Sequence, residues 1–67
     1  MTNGIVKWYN TVKGYGFIQP ADGSRDVFVH VTALQQAGLR TLSEKQKIRF
    51  DAVMKNGKVS AENLEVL

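Results

Sequence analysis

The chain has 67 residues, nine Lys and Arg against six Asp and Glu for a formal net charge of +3, one His and no Cys. That length holds one small domain, residues 1–67, whose modest core can be reinforced by neither a disulfide nor a thiolate-bound metal. No apolar run is long enough to span a bilayer and no basic-then-apolar leader opens the chain, so a cytoplasmic location is expected, and the small positive excess leans modestly toward polyanionic partners.

Glycines punctuate short β-branched and aromatic runs, the pattern of a strand meander. The first strand is predicted over Ile5–Thr11, with Val12-Lys13-Gly14 as the turn into a second strand, Tyr15–Gln19. Pro20–Ser24 is a loop that takes its turn chemistry from Asp22-Gly23, and the third strand runs from Asp26 to Val31. Thr32–Gly38 accommodates one helical turn, with Thr32 the expected N-cap and Gly38 the stop. After a connection through Leu39–Lys45, Gln46–Met54 and Lys58–Val66 pair across Asn56-Gly57, a two-residue hairpin signal because both positions tolerate positive φ. Five strands and one short helical turn with no long connection predict an all-β, antiparallel, closed or nearly closed barrel.

Alternation assigns the two faces. Ile48, Phe50 and Ala52 are expected inside, with Lys47, Arg49 and Asp51 outside. Strict alternation fails twice: Val6 belongs inside and Trp8 outside although their parity is the same, and Ala61 and Leu64 both belong inside although their parity differs. A bulge or bend in each of these strands resolves the conflict, as small barrels require.

Tyr15 and Phe17 share one face of their strand, Phe28 and His30 one face of theirs, while Ile18, Val27 and Val29 point the other way and supply an interior. Trp8 and Tyr9 follow Lys7, and Lys13 precedes the second strand. Aromatic rings interleaved with lysines suit single-stranded nucleic acid, because bases stack on rings while cations meet the neighbouring phosphates.

Gly4-Ile5-Val6-Lys7-Trp8-Tyr9-Asn10, Lys13-Gly14-Tyr15-Gly16-Phe17-Ile18 and Asp26-Val27-Phe28-Val29-His30 together resemble the bacterial cold-shock protein family, matching its first strand and two ribonucleoprotein-like motifs in order and spacing. The resemblance continues through Thr32-Ala33-Leu34, Leu42-Ser43-Glu44-Lys45-Gln46 and Ala61-Glu62-Asn63-Leu64. It implies a five-stranded barrel of the oligonucleotide-binding (OB) type, sequence-tolerant binding of single-stranded RNA and DNA, and an RNA-chaperone role. The family's binding positions fall here on Lys7, Trp8, Lys13, Tyr15, Phe17, Phe28 and His30, with Tyr9 adjoining. A monomer is implied, with a strand-exchanged dimer the alternative.

The chain departs from the family pattern at several points. Val31 and Leu39 stand where aromatics are usual, Lys45 where a glycine is usual, and Lys55-Asn56-Gly57-Lys58-Val59 replaces a Gly-Pro hairpin segment. Tyr replaces Phe at positions 9 and 15. A shorter stacking platform at the Val31 and Leu39 end is therefore expected. Lys55 and Lys58 read as solvated hairpin charges that could also add electrostatic attraction, and Asp26 as a partner for Lys13 or for a base edge.

With a single histidine and no cysteine, neither a multi-histidine metal site nor a nucleophile–base pair is indicated, no cofactor is implied, and an enzyme is disfavoured. The competing reading is a small barrel whose aromatic face docks another protein, which salt dependence of binding would separate from nucleic-acid recognition.

Overall fold

The computed structural model describes all residues, 1–67. Its elements run β1 (Thr2–Asn10), β2 (Tyr15–Pro20), β3 (Val27–His30), α1 (Val31–Gln36), β4 (Lys47–Lys55) and β5 (Lys58–Val66), and the strands close in the order β1-β2-β3-β5-β4 with β4 returning to β1. The all-β architecture with one short helix is as the sequence implies. One seam differs: β3 and β5 pair in parallel, through Phe28 and Ser60, whereas every other neighbouring pair is antiparallel. Geometry requires this. Strand direction cannot alternate all the way around a closed ring with an odd number of strands, so one neighbouring pair has to be parallel.

The interior is apolar throughout. Val6, Ile18, Val27, Val29, Ala33, Leu34, Leu42, Ile48, Phe50, Ala61 and Leu64 form one cluster, and no polar or charged residue is buried. Both irregularities required by the residue pattern are present. Between Val6 and Trp8 the register to β2 slips, because two steps along β1 oppose the single step from Ile18 to Phe17, and Lys7 is the extra residue that turns Val6 inward and Trp8 outward. Between Arg49 and Asp51 the same slip occurs with the extra residue on β5, where Asn63 adopts φ 53° and lets both Ala61 and Leu64 face the core. Ala52 does not behave as its parity suggests. It is exposed on the wall of an open recess of about 310 Å³ between β4 and the β2–β3 loop, where its methyl group is too short to close the barrel end.

Local chemistry fixes the connections. Asn10 Oδ1 accepts from the backbone N–H groups of Val12 (2.9 Å) and Lys13 (3.0 Å), which shapes the β1–β2 turn. The Ser24 hydroxyl and its backbone N–H (2.9 Å) hold the Asp22 carboxyl below the usual carboxylate range. The stabilisation this gives the β2–β3 loop is present above the unfolded carboxylate pKa of about 3.9 and is lost as pH falls through the depressed folded value.

The third strand ends one residue earlier than expected, at His30, and Val31 opens α1. The N-cap is His30 rather than Thr32, because the His30 ring accepts from the Thr32 N–H. Gly38, at φ 76°, does stop the helix. Its N–H reaches the Gln35 carbonyl and that of Leu39 the Leu34 carbonyl, a Schellman closure in which Leu39 folds back onto the core. The Asn56-Gly57 turn has φ of 49° and 77°, the paired positive values of a type I′ hairpin. Lys45, in the place of a family glycine, carries φ 64° and donates its N–H to the Val6 carbonyl at 2.7 Å, so a left-handed residue is needed there and lysine adopts the conformation under strain.

Candidate nucleic-acid interface

Pairing across β1, β2 and β3 places the rings. Trp8 lies opposite Phe17 and Phe17 opposite Phe28, so these three make one row across the sheet, and Tyr15 opposite His30 makes a second. Directly opposed residues project to the same face, and the rings meet there. Trp8 lies 5.3 Å from Phe17 and 5.7 Å from Tyr15 between ring centroids, and Phe28 lies 5.9 Å from Phe17. Tyr15 and Phe28 are near-parallel at 5.7 Å and 28°, and His30 continues the surface 6.2 Å beyond Phe28. Trp8 and His30 are exposed, while Tyr15, Phe17 and Phe28 are half-buried. The ring series ends at His30. Val31 is half-buried in α1 and Leu39 packs against the core, so neither extends it.

Glycine behind the rings makes this geometry possible. A Cβ at Gly16 would lie 2.3 Å from the Trp8 carbonyl oxygen and 2.7 Å from the Tyr9 Cα, both backbone atoms that cannot move aside. Only glycine lets β1 and β2 approach closely enough to set Trp8 beside Tyr15 and Phe17.

His30 has a second duty. Its Nδ1 accepts from the Thr32 backbone N–H at 3.2 Å and lies 3.1 Å from the Thr32 hydroxyl. Since a backbone N–H can only donate, Nδ1 is the acceptor of this bond, which leaves Nε2 as the ring nitrogen not used by the cap.

The remaining expected positions divide. Lys13 is exposed in the β1–β2 turn, held by the Asn10 side chain through its backbone, and its ammonium has no carboxylate partner. Lys7 is exposed but engaged, donating to Asp26 Oδ2 at 2.9 Å. Asp26 therefore holds Lys7 and not Lys13. Tyr9, on the inner side of the bulge, packs against the core cluster away from the rings, and burial raises its phenol pKa. One residue has a larger place than its sequence context suggests. Lys58 lines a groove of about 480 Å³ together with Tyr15, Phe17, Phe28, Val59 and Asp26. The signal that would have found it is the parallel seam: with Phe28 beside Ser60, two residues back along each strand sets Asp26 beside Lys58.

The family model described as the 'Cold-shock' DNA-binding domain matches residues 2–67. The chain belongs to the cold-shock domain family. It is 57% identical over 67 residues, covering 97% of each chain, to a probable cold shock protein (y4cH) of Sinorhizobium fredii. It is 56% identical over 66 residues, 96% of each, to the cold shock protein CspA of Rhizobium meliloti. Against the cold shock-like protein CspG of Escherichia coli it is 62% identical over 47 residues, 70% of this chain and 67% of the relative. Cold-shock domains are nucleic-acid-binding modules and not enzymes, and none of the helices here is long and apolar enough to cross a membrane.

Proposed function

We propose that residues 1–67 act as a single cytoplasmic cold-shock domain that grips unpaired RNA and DNA with little sequence preference and thereby serves as an RNA chaperone. The observation that carries this reading is the unbroken outer run of rings from Trp8 through Tyr15, Phe17 and Phe28 to His30, on a barrel whose interior is filled without them. Every base offers a π face, so stacking tolerates any sequence, and each stack contributes about 1–3 kcal/mol. Lys58, beside the rings, and Lys13, in the turn that leads into Tyr15, are free cations for phosphates, and Lys7 joins them once released from Asp26. One chain supplies the whole surface, so a monomer suffices. Affinity for unpaired strands alone shifts the pairing equilibrium toward the open state, which melts weak RNA structure without nucleotide hydrolysis.

The test is a titration of Trp8 fluorescence with a short oligothymidine at several salt concentrations. Quenching is expected, with a log–log salt slope near −3 if about four phosphates are neutralised, and Lys13→Ala makes the slope shallower by about 0.7. Salt-insensitive binding, or none, would overturn the reading.

Asp26 restrains this surface. Its carboxylate neutralises Lys7 and is part of the lining of the aromatic groove, where a carboxylate repels phosphate. Asp26→Asn is expected to tighten oligothymidine binding and to steepen the salt slope by about 0.7 as Lys7 becomes available to a phosphate. The same fluorescence titration measures both.

A further inference from the structure

Past His30 the aromatic surface gives way to a separate polar recess of about 240 Å³. His30, Thr32 and Gln36 line one side and Lys55, Ser60 and Glu62 the other. The parallel seam builds it. With Phe28 paired to Ser60, two further residues along each strand bring His30 beside Glu62 on the same face. Lys55 Nζ donates to Glu62 Oε1 at 2.8 Å, so the recess holds one cation and one carboxylate.

That charge balance selects the ligand. A carboxylate without excess positive charge around it repels phosphate, so the recess is unsuited to the backbone of a strand and suited to a neutral polar group. Its volume is below the roughly 300–1,000 Å³ of pockets for drug-sized ligands, a size suited to a group as small as one base. Glu62 accepts through two oxygens with about four lone-pair sites, of which Lys55 occupies one. With Nδ1 taken up as acceptor of the Thr32 N–H, Nε2–H is the donor that His30 brings to the recess it lines. A donor followed by two acceptors complements an edge that presents a carbonyl and then two N–H groups. Guanine has that Watson–Crick edge. Uracil and thymine present a second carbonyl to the carboxylate, and adenine and cytosine offer no carbonyl-then-donors sequence.

We propose that this recess reads the edge of a guanine at the end of the stacked track, with Glu62 accepting from its ring N–H and exocyclic amine and His30 donating to its carbonyl. The proposal rests on the single-strand-binding reading above and adds a base preference to it. The tolerant aromatic surface thereby carries one discriminating position.

The experiment titrates the full chain with hexathymidylate and with hexathymidylates carrying one guanine at each position in turn, followed by Trp8 fluorescence. At one position guanine is expected to tighten binding about tenfold, the scale of a good bidentate base contact. Inosine at that position, lacking the exocyclic amine, should lose most of the gain. Glu62→Gln should bring the guanine-to-thymine affinity ratio to about one while still binding hexathymidylate with a wild-type unfolding midpoint. If no guanine position improves on hexathymidylate, or if Glu62→Gln keeps the preference, the pocket proposal fails alone. If the wild-type chain binds none of the oligonucleotides, the single-strand reading fails with it.

Discussion

Phe50→Ala is expected to destabilise the barrel by about 3–5 kcal/mol, the cost of truncating a fully buried aromatic in a core that relaxes only partly. Phe50 has no exposed surface and is the largest of the fully buried side chains. Its ring fills the space that Gly4 leaves open on β1: a Cβ there would lie 3.0 Å from the ring edge. The fully enclosed residues around it in the cluster, such as Ile18, are shorter and do not replace a ring of that size. Folded domains retain about 0.05–0.15 kcal/mol per residue, so a chain of 67 residues has roughly 3–10 kcal/mol to lose and no disulfide to fall back on. Urea unfolding followed by circular dichroism should show a midpoint far below wild type, or no folded baseline. A near-wild-type midpoint would mean that the ring is not the centre of the core.

How much of this was legible in the sequence depended on whether the signal was local. The Asn56-Gly57 hairpin was, because two adjacent residues that accept positive φ specify one turn type, and the observed dihedrals are of that type. The outward rings were also legible, since parity along β2 and β3 sorts Tyr15, Phe17, Phe28 and His30 from Ile18, Val27 and Val29. The two bulges could be inferred only from a contradiction: Val6 and Trp8 cannot both be placed well on a regular strand. Longer-range facts were hidden. The N-cap passed from Thr32 to His30 because a strand-ending histidine turned its ring back onto the backbone, and residue preferences at caps do not foresee that. Ala52 kept its inward parity but found no partner to cover it. Tyr9 lies off the aromatic face because the residue inserted at Lys7 reversed the alternation once, carrying Trp8 outward and Tyr9 in. The placement of Lys58 beside the rings, and of Glu62 beside His30, follows from the one parallel seam, which pairs strands separated by a helix and a hairpin.

Phe28→Ala separates the outer face from the core. The ring is half-buried and sits at the junction of the surface, in contact range of Tyr15, Phe17 and His30. Its neighbours Val27 and Val29 point inward and keep the strand anchored without it, so the unfolding midpoint should fall far less than for Phe50→Ala. Binding should suffer much more. Removing Phe28 deletes one stacking platform, worth about 1–3 kcal/mol, or roughly 5- to 150-fold in affinity. It also leaves Tyr15 and His30 without the ring that spaces them, and the loss should therefore lie toward the upper end. Phe17→Ala removes a ring with neighbours on only two sides, Trp8 and Phe28, and should cost less. Titration of both variants with the same oligothymidine, beside their unfolding curves, makes the comparison. An affinity for Phe28→Ala within twofold of wild type would show that bases do not lie on this surface, and a collapse of its fold would show that the ring belongs to the interior.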